Sequence, residues 1–236
     1  MERQVEPEWL DDLRAVDAGA IGSRRDLQRL NMLMGHARMI ARSLNKHRAG
    51  RGDSGVTLTR LQSLVELGAG DGTFLLKVAR RLVPATAILV DRQDMVSAET
   101  RKRFVELGLN IDMHQADVFE WLAKREKQEG SAMIVNLFLH HFREQQLRLL
   151  LRKAASQADL FVACEPRRSA LALQASRMLG LIGCNAVTRH DAVVSVRAGF
   201  SGRELSNLWP AEAGSAWDLE EGKAGLFSHS FVARRK

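Results

Sequence analysis

Apolar and polar positions follow two alternating patterns along most of this chain. From Leu61 onward, short and largely apolar runs are followed by stretches in which apolar residues recur every three or four positions. The first pattern is typical of strands buried on both faces, and the second is typical of amphipathic helices. The predicted strands are 61–67, 87–91, 110–117, 132–139 and 159–166, and the predicted helices are 72–82, 94–107, 118–126, 143–157 and 169–181.

This strict alternation predicts an α/β fold in which a parallel sheet carries helices on both faces. Two further strand-like runs, 214–221 and 225–235, have no helix between them. They predict an antiparallel hairpin at the end of the sheet, because a short connection can only join antiparallel strands.

The N-terminal part of the chain does not follow this alternation. Residues 1–22 show no clear pattern, whereas Ser23 with Asp26 resembles a capping box and is followed by apolar residues at helical spacing up to Leu44. The predicted helix has an apolar stripe that needs a partner, and the sheet predicted from Leu61 is complete without it. We therefore expect the helix to act as a lid over a ligand site.

The glycine-rich stretch 48–55 is the one plausible linker. It divides the chain into an N-terminal helical lid segment, 1–55, and a main domain, 56–236.

The stretch "VELGAGDGTF", 65–74, predicts a strand that enters a glycine corner and then a helix. A dinucleotide-binding corner would read G-x-G-x-x-G, but the position of its third glycine is held here by Thr73. Glu66 and Asp71 would also repel a pyrophosphate. They would attract the ammonium and sulfonium of S-adenosylmethionine, so the charges favour that cofactor over NAD.

This stretch resembles motif I of the class I S-adenosylmethionine-dependent methyltransferases. The resemblance implies a Rossmann-like, seven-stranded, mostly parallel sheet in three α/β/α layers with a terminal antiparallel hairpin. It also implies that Gly68, Gly70 and Gly72 pass the backbone beneath the methionine part of the cofactor, and that Glu66 orients the loop or the amino group.

Two carboxylates follow at the ends of the next predicted strands. Asp91 could accept both ribose hydroxyls as an ionised carboxylate, and the resemblance implies that Asp117 accepts from the adenine amino group. The alternative for each is a helix N-cap. The full set of predicted cofactor contacts is Glu66, Gly68, Ala69, Gly70, Gly72, Asp91, Arg92, Asp117, Val118 and Asn136.

The fourth predicted strand ends in "NLFLHHF" and lacks the Asn/Asp-Pro-Pro-Tyr/Phe motif of enzymes that methylate exocyclic amines of nucleic acids. Cys164 lies inside a predicted strand, where a buried hydrophobe is expected rather than the nucleophile of cytosine chemistry. His140 and His141 lie at the carboxyl edge of the sheet, where one could deprotonate a phenol. The alternative is that one caps a helix and the other packs against the cofactor.

The stretch 187–210 falls outside the alternating core and offers His190 as a third candidate base, beside Asp191. Its position is one where small-molecule methyltransferases build part of the substrate pocket. Together with "SRRDLQRLN" and "ACEPRRS", it resembles bacterial methyltransferases encoded beside type III polyketide synthases, which implies a phenolic or quinol acceptor. The predicted substrate contacts are Glu165, Arg168, Asp191 and Arg197.

The net charge of +7 is concentrated between Ser23 and Arg51, where eight basic residues face the single acid Asp26. This stretch keeps RNA methylation open as an alternative, although a solvated helix face is the simpler interpretation and makes nucleic acid an unlikely partner. A non-catalytic protein that binds S-adenosylmethionine is the second alternative.

The remaining expectations concern metal, location and assembly. Two cysteines without a Cys/His cluster indicate neither a disulfide framework nor a metal site. The acidic start lacks a secretion signal, and no apolar run could span a membrane, so we expect a cytoplasmic monomer or homodimer.

Overall fold

The structure is a computed structural model that describes residues 1–14, 16–49, 61–211 and 216–236, without the side chains of residues 48 and 49. Most of the predicted linker, and with it the division at residue 55, lies outside the described residues.

One sheet of seven strands organises the described part of the chain, in the order β3-β2-β1-β4-β5-β7-β6. The first five strands are parallel, and the last two form the predicted hairpin, with β7 antiparallel to both β5 and β6. The predicted fold class is therefore confirmed. The strands are β1 Ser63–Leu67, β2 Thr86–Asp91, β3 Asn110–Gln115, β4 Ser131–Asn136, β5 Leu160–Pro166, β6 Trp217–Ala224 and β7 Ser228–Arg235.

Helices cover both faces of this sheet. Two 3₁₀ turns, Leu139–His141 and Leu179–Ile182, add to them. The helices are α1 Trp9–Asp12, α2 Ala18–Met34, α3 His36–Ala49, α4 Thr73–Leu82, α5 Ala98–Glu106, α6 Val118–Lys124, α7 Glu144–Gln157, α8 Ala170–Arg177, α9 Ala186–Ala198 and α10 Glu204–Leu208.

The core is divided between the two faces of the sheet because successive strand residues point to opposite sides. Leu64 packs with Leu75 and other residues on one face, and Val65 packs with Leu147 and others on the opposite face. The central strands β1, β4 and β5 are buried along their whole length, as their continuous apolar runs predict. Strand β3 lies at the edge and alternates in exposure.

The predicted N-terminal helix is two helices, which corrects the sequence prediction. The chain reverses at Gly35, which adopts a left-handed conformation (φ 68°) and caps α2. Ser23 lies inside α2, and Asp26 does not cap it: its carboxylate accepts hydrogen bonds from the backbone N–H of Asn185 and the Thr188 hydroxyl.

Helix α3 belongs to the core. Ile40, Ala41 and Leu44 are buried and pack in the same cluster as Leu75 and Val162. The sheet is therefore not complete without the N-terminal segment, contrary to the expectation from the sequence. Only the residues before α3 remain available to act as a lid.

Residues 1–14, here called the N-terminal strap, are ordered by specific contacts although the sequence predicted little structure. The Arg3 guanidinium donates hydrogen bonds to the carbonyls of Ala198, His140 and Phe142, at 2.7–3.2 Å. The Met1 carbonyl accepts from Arg168 Nε at 2.9 Å. These bonds join the strap to the loops at the carboxyl edge of the sheet.

The place of α3 in the core predicts the effect of a single truncation. Leu44→Ala should lower the free energy of unfolding by about 2–5 kcal/mol, because the side chain is fully buried and would leave a cavity. Leu33→Ala, at a 74% exposed position of α2, should change it by no more than about 0.5 kcal/mol. Urea unfolding curves measure both values. Equal stabilities of the two variants would mean that α3 is a detachable lid.

Candidate functional site

A cavity of about 720 Å³ opens at the carboxyl ends of the parallel strands. This size is within the range of small-molecule sites, and its position is the one at which open α/β sheets bind ligands. The glycine corner after β1 forms one wall. Helices α2, α8 and α9, the Leu179–Ile182 turn and the β6–β7 turn form the others.

The glycine corner is built from residues in left-handed conformations. Gly68, Gly70 and Gly72 have φ values of 73°, 53° and 72°. A Cβ on Gly68 would lie 2.3 Å from the Phe138 ring, so this glycine is required by internal packing. A Cβ on Gly70 would meet only the Met95 methyl, at 3.8 Å. The backbone at Gly70 is therefore open toward the cavity, where a ligand can approach it.

Two carboxylates fix the shape of this corner. Asp91 accepts from the N–H of Gly70 (2.8 Å) and the N–H of Gln93 (2.9 Å), and Glu66 accepts from the N–H of Leu75 (3.1 Å). Burial raises the pKa of Glu66 well above its usual value, and the nearby charge of Asp71 raises it further. The prediction that Glu66 orients the loop thus has a structural basis in its bond to the start of α4.

Asp91 also lines a second, smaller cavity of about 130 Å³. The two cavities share Ala69 and Gly70. An elongated ligand that crosses the corner at Gly70 would therefore contact the Asp91 carboxylate on one side and the large cavity on the other.

Four of the predicted cofactor residues do not line either cavity. Gly72 packs against Leu89, whose Cδ2 would lie 2.6 Å from an added Cβ. Asp117 caps α6 by accepting from the N–H of Phe119 at 2.8 Å, which is the alternative weighed from the sequence. Val118 is buried in the core, and the Arg92 side chain is exposed. Asp117 stays a predicted adenine ligand, but the geometry does not bring these residues to the described cavities.

His36 is a cavity residue that the sequence did not reveal. It is fully buried at the start of α3, with Nδ1 2.8 Å from Asn136 Oδ1 and Nε2 2.6 Å from Ser228 Oγ. Burial lowers the pKa of His36 to about 4, so the ring is neutral at neutral pH. The preceding Gly35, a typical helix C-cap, was the available signal that a new helix starts here.

His140 lies between two carboxylates. Its Nδ1 is 2.8 Å from Glu165 Oε2 and its Nε2 is 3.2 Å from Glu8 Oε1. Burial alone would lower the pKa of His140, but the hydrogen bonds and charges of Glu165 and Glu8 outweigh burial and raise this pKa to about 9. The ring is therefore protonated at neutral pH and donates from both nitrogens. A base needs a free lone pair, so this arrangement opposes the predicted role of His140.

The two carboxylates in this network are held firmly. Glu165 is fully buried and also accepts from the backbone N–H groups of Phe138 and Leu139 at 3.0 and 2.9 Å. Burial would raise the pKa of Glu8, but its hydrogen bond to His140 and the charges of His140 and His141 lower it to about 2. Glu8 also accepts from the Ser195 hydroxyl. The network joins the strap to β5 and α9.

His141 and His190 have different surroundings. His141 lines the large cavity, has a side chain that is 24% exposed, and places Nδ1 3.4 Å from Asp11 Oδ2. His190 is not among the cavity residues and stacks on Trp9 with ring centroids 3.8 Å apart. Of the three predicted bases, His141 alone combines access to the cavity with a ring that is not held between two carboxylates.

Three of the four predicted substrate contacts, Glu165, Arg168 and Asp191, make hydrogen bonds within the protein. Asp191 accepts from the N–H groups of Trp9 and Leu10 and so holds the strap. Arg168 is buried and donates to the carbonyls of Met1 and Gly199 and to Glu204. Neither these residues nor Glu165 and Arg197 line the cavity. Their role as substrate contacts stays a prediction, which the lining of the cavity does not support.

Glu8, His140 and His141 each place one potential metal-ligand atom within 4.8 Å of the others, among the residues that the structure describes. Glu8 and His140 already share a hydrogen bond, so a proton holds the position that a metal ion would need. The expectation of no metal stays a prediction.

Comparisons with known proteins agree with this architecture. The sequence model of a family described as "Methyltransferase domain" matches residues 64–158, from β1 to the end of α7. A search of curated protein sequences gave no significant match. The family match supports the cofactor predicted from the sequence, S-adenosylmethionine. No helix in the described part of the chain is both long and apolar enough to cross a bilayer.

Solved structures with the same fold include three methyltransferases. The plantazolicin methyltransferase BpumL, solved in complex with SAH, has a TM-score of 0.65 at 10% identity, over 94% of this chain and 92% of that one. An O-methyltransferase family protein from Burkholderia thailandensis has a TM-score of 0.54 at 14% identity, over 94% of this chain and 64% of that one. The N,N-8-amino-8-demethyl-D-riboflavin dimethyltransferase RosA from Streptomyces davawensis has a TM-score of 0.57 at 16% identity, over 98% of this chain and 62% of that one. The chain thus spans less than two thirds of the last two proteins.

The glycine corner predicts a contrast between two substitutions. Gly70→Ala should cost only about 1–2 kcal/mol of stability, from its left-handed backbone, because its methyl group would face the cavity. That methyl group should weaken S-adenosylhomocysteine binding by roughly tenfold or more. Gly68→Ala, which would clash with Phe138, should lower stability further. Calorimetric titration and thermal unfolding test both. Undiminished binding by Gly70→Ala would refute the proposed backbone approach.

The charged network predicts a loss of stability at alkaline pH. Folding raises the pKa of His140 from 6.5 to about 9. The protonated ring therefore contributes fully to the free energy of unfolding below about pH 6.5, and this contribution is lost as pH rises through 9. Glu8→Gln removes one of the charges that raise this pKa. In this variant the loss of stability at alkaline pH should be smaller than in the wild type, and it should be complete at a lower pH. Exposed Glu6→Gln is the matched control and should behave as the wild type. Melting temperatures between pH 6 and 10 measure the effect, and superimposable profiles for Glu8→Gln and the wild type would contradict it.

Proposed function

We propose that this chain, whose residues 64–158 match a methyltransferase domain, transfers a methyl group from S-adenosylmethionine to an oxygen of a small phenolic or quinol acceptor. The observation that carries this proposal is the pair of cavities that share Ala69 and Gly70 in their walls. The smaller cavity presents Asp91 for the ribose hydroxyls. The larger one has room for the methionine part of the cofactor together with an acceptor.

The walls of the large cavity favour an apolar acceptor. Leu27 and Leu30 of α2, Leu179 of the 3₁₀ turn and Phe227 of the β6–β7 turn contribute to them. Polar groups lie at the glycine corner, at His36 and His141, in the strap, and on α2, where Arg24, Gln28 and Asn31 line the cavity. Such a cavity suits an aromatic ring with one or a few hydroxyl groups. The resemblance to methyltransferases encoded beside type III polyketide synthases makes alkylresorcinol-like phenols the first acceptors to test.

The bound cofactor supplies an electrophilic methyl group on its sulfonium, and the chain's residues bring the acceptor oxygen to it and exclude water. His141 is our preferred base, because it lines the cavity and Asp11 Oδ2 lies 3.4 Å from its Nδ1, where the carboxylate can orient the ring. A phenol has a pKa of about 10, so removal of its proton at neutral pH needs such help. Proximity of the two reactants supplies most of the remaining rate.

The strap and α2 contribute by covering the site. Glu8, Leu10 and Asp11 of the strap line the cavity, and Gln28 of α2 donates a hydrogen bond to Asp71 in the glycine corner. Exchange of cofactor would require these contacts to open. The lid predicted from the sequence thus becomes a proposal for residues 1–34.

RNA methylation is less favoured by the structure than by composition. The basic residues of the N-terminal segment are divided between α2 and α3, which reverse direction at Gly35. Lys46 is paired with Glu220 at 2.8 Å, and Arg29 lies 3.7 Å from Asp26. This division interrupts the continuous basic helix on which the alternative rested.

Methyl transfer to phenols is the direct test of the function. The protein should bind S-adenosylhomocysteine and not NADH, and should convert S-adenosylmethionine to S-adenosylhomocysteine only with an acceptor from a panel of phenols and quinols. His141→Gln should lower kcat about a hundredfold at neutral pH. The defect should shrink toward pH 10, where the phenol ionises unaided.

His190→Gln is the matched control, because that ring lies outside the cavity, and its rate should stay close to the wild-type rate at each pH. A pH-independent defect in His141→Gln would indicate a structural role instead of a base. Tight cofactor binding without turnover of any phenol, quinol or RNA would favour a non-catalytic protein.

A further inference from the structure

Large apolar side chains are exposed around the mouth of the cavity. Four of them line the cavity and also reach solvent: Leu33 of α2, Ile182 of the 3₁₀ turn, and Leu226 and Phe227 of the β6–β7 turn. The first three are 74%, 63% and 63% exposed. They come from three separate parts of the chain, so their convergence at one opening does not follow from a single apolar helix.

Two further exposed apolar residues are sequence neighbours of residues at this opening. Met32 lies next to Leu33, and Leu181 lies next to Ile182, with exposures of 67% and 79%. Neither of them lines the cavity. Singly exposed apolar residues are ordinary, but a group gathered at one place marks an interaction site. We call Met32, Leu33, Leu181, Ile182, Leu226 and Phe227 the apolar rim.

The charges beside the apolar rim are mainly positive. Arg25, Arg29 and Leu33 follow one another every four residues, so they lie along one face of α2. Arg177 ends α8, just before the 3₁₀ turn, and Lys223 precedes the β6–β7 turn. All four cations are exposed.

Acids near the apolar rim are largely engaged elsewhere. Asp26, on α2, is buried and accepts hydrogen bonds at the start of α9. It also lies 3.7 Å from Arg29, whose side chain nevertheless stays 71% exposed. Asp71 accepts from the N–H and hydroxyl of Thr73, and Asp11 lies beside His141. The rim therefore combines apolar side chains with a surplus of exposed positive charge.

We propose that the apolar rim docks on the surface of an anionic lipid bilayer, with the cations at the headgroups and the apolar side chains at the acyl boundary. Both features are those of surfaces that lie on a membrane without crossing it. The inference rests on the proposed function for its purpose: an apolar acceptor dissolved in the bilayer would reach the cavity without passing through water.

A second copy of the chain fits this surface less well. In a twofold contact the same patch meets itself, so Arg25, Arg29 and their neighbours would face like charges. Such a contact would also close the cavity at its mouth. An anionic bilayer complements the charges and leaves the mouth open to an apolar acceptor.

Sedimentation of the full chain with lipid vesicles tests this proposal. The protein should bind vesicles that contain phosphatidylglycerol, should bind pure phosphatidylcholine much less, and should be released by salt because screening weakens the attraction. Met32→Ser combined with Leu181→Ser should lower the affinity on the order of tenfold. Val105→Ser combined with Leu149→Ser is the control, because these apolar residues are also exposed, at 65% and 45%, but lie on α5 and α7.

Two further measurements separate this proposal from the proposed function and from self-association. The Met32 and Leu181 double variant should methylate a short, water-soluble phenol at the wild-type rate, since neither residue lines the cavity. Vesicle binding without any turnover would leave docking intact and overturn the function. Two results would overturn docking. One is turnover by a protein that binds both vesicle types equally or binds neither. The other is a wild-type dimer in sedimentation velocity that becomes a monomer in this variant.

Discussion

A charged imidazole buried between two carboxylates holds the candidate site together. His140 lies in the turn after β4, Glu165 lies in β5, and Glu8 lies in the strap, so one ring joins three distant parts of the chain. Removing charges from water is costly, and the cost is offset only when each charge is paired and hydrogen-bonded. Glu165 meets this condition, because its carboxylate accepts hydrogen bonds from three backbone N–H groups in addition to its pairing with His140. The strap supplies the second carboxylate, so the network is complete only when the strap is in place.

The glycine corner has a fixed backbone and yet leaves one position uncovered for a ligand. Asp91 and Glu66 fix its backbone through N–H groups, and Gly68 is packed against Phe138. Gly70 alone of the three corner glycines keeps its front free of close protein contacts. A fixed backbone with one uncovered position gives a ligand a surface to approach without a cost in ordering the loop.

The sequence was sufficient to predict the sheet and the corner, because both depend on local pattern. Buried strands need continuous apolar runs, and left-handed positions need glycine, so each leaves a signal within a few residues. Asp91 was found in the same way, as the acid that ends β2. These elements required no knowledge of distant partners.

The strap and the histidine roles could not be predicted, because they depend on contacts between residues far apart in sequence. Residues 1–14 are held by isolated polar bonds such as that of Arg3 to Ala198, which impose no periodicity. The sequence placed His140 correctly at the edge of the sheet but could not show that Glu8 lies against it. The helix α3 was misassigned because its apolar stripe fits a lid as well as a core.

The position of β7 has a consequence for the synthesis of the protein. This strand lies between β5 and β6, and its first residue, Ser228, bonds to His36 in the floor of the cavity. A ribosome releases β6 before β7, so the earlier strand cannot take its place in the sheet until the later one has emerged. The candidate cavity is thus completed only after Ser228 has emerged, and a nascent chain that stops before residue 228 would expose one edge of β5 to other chains.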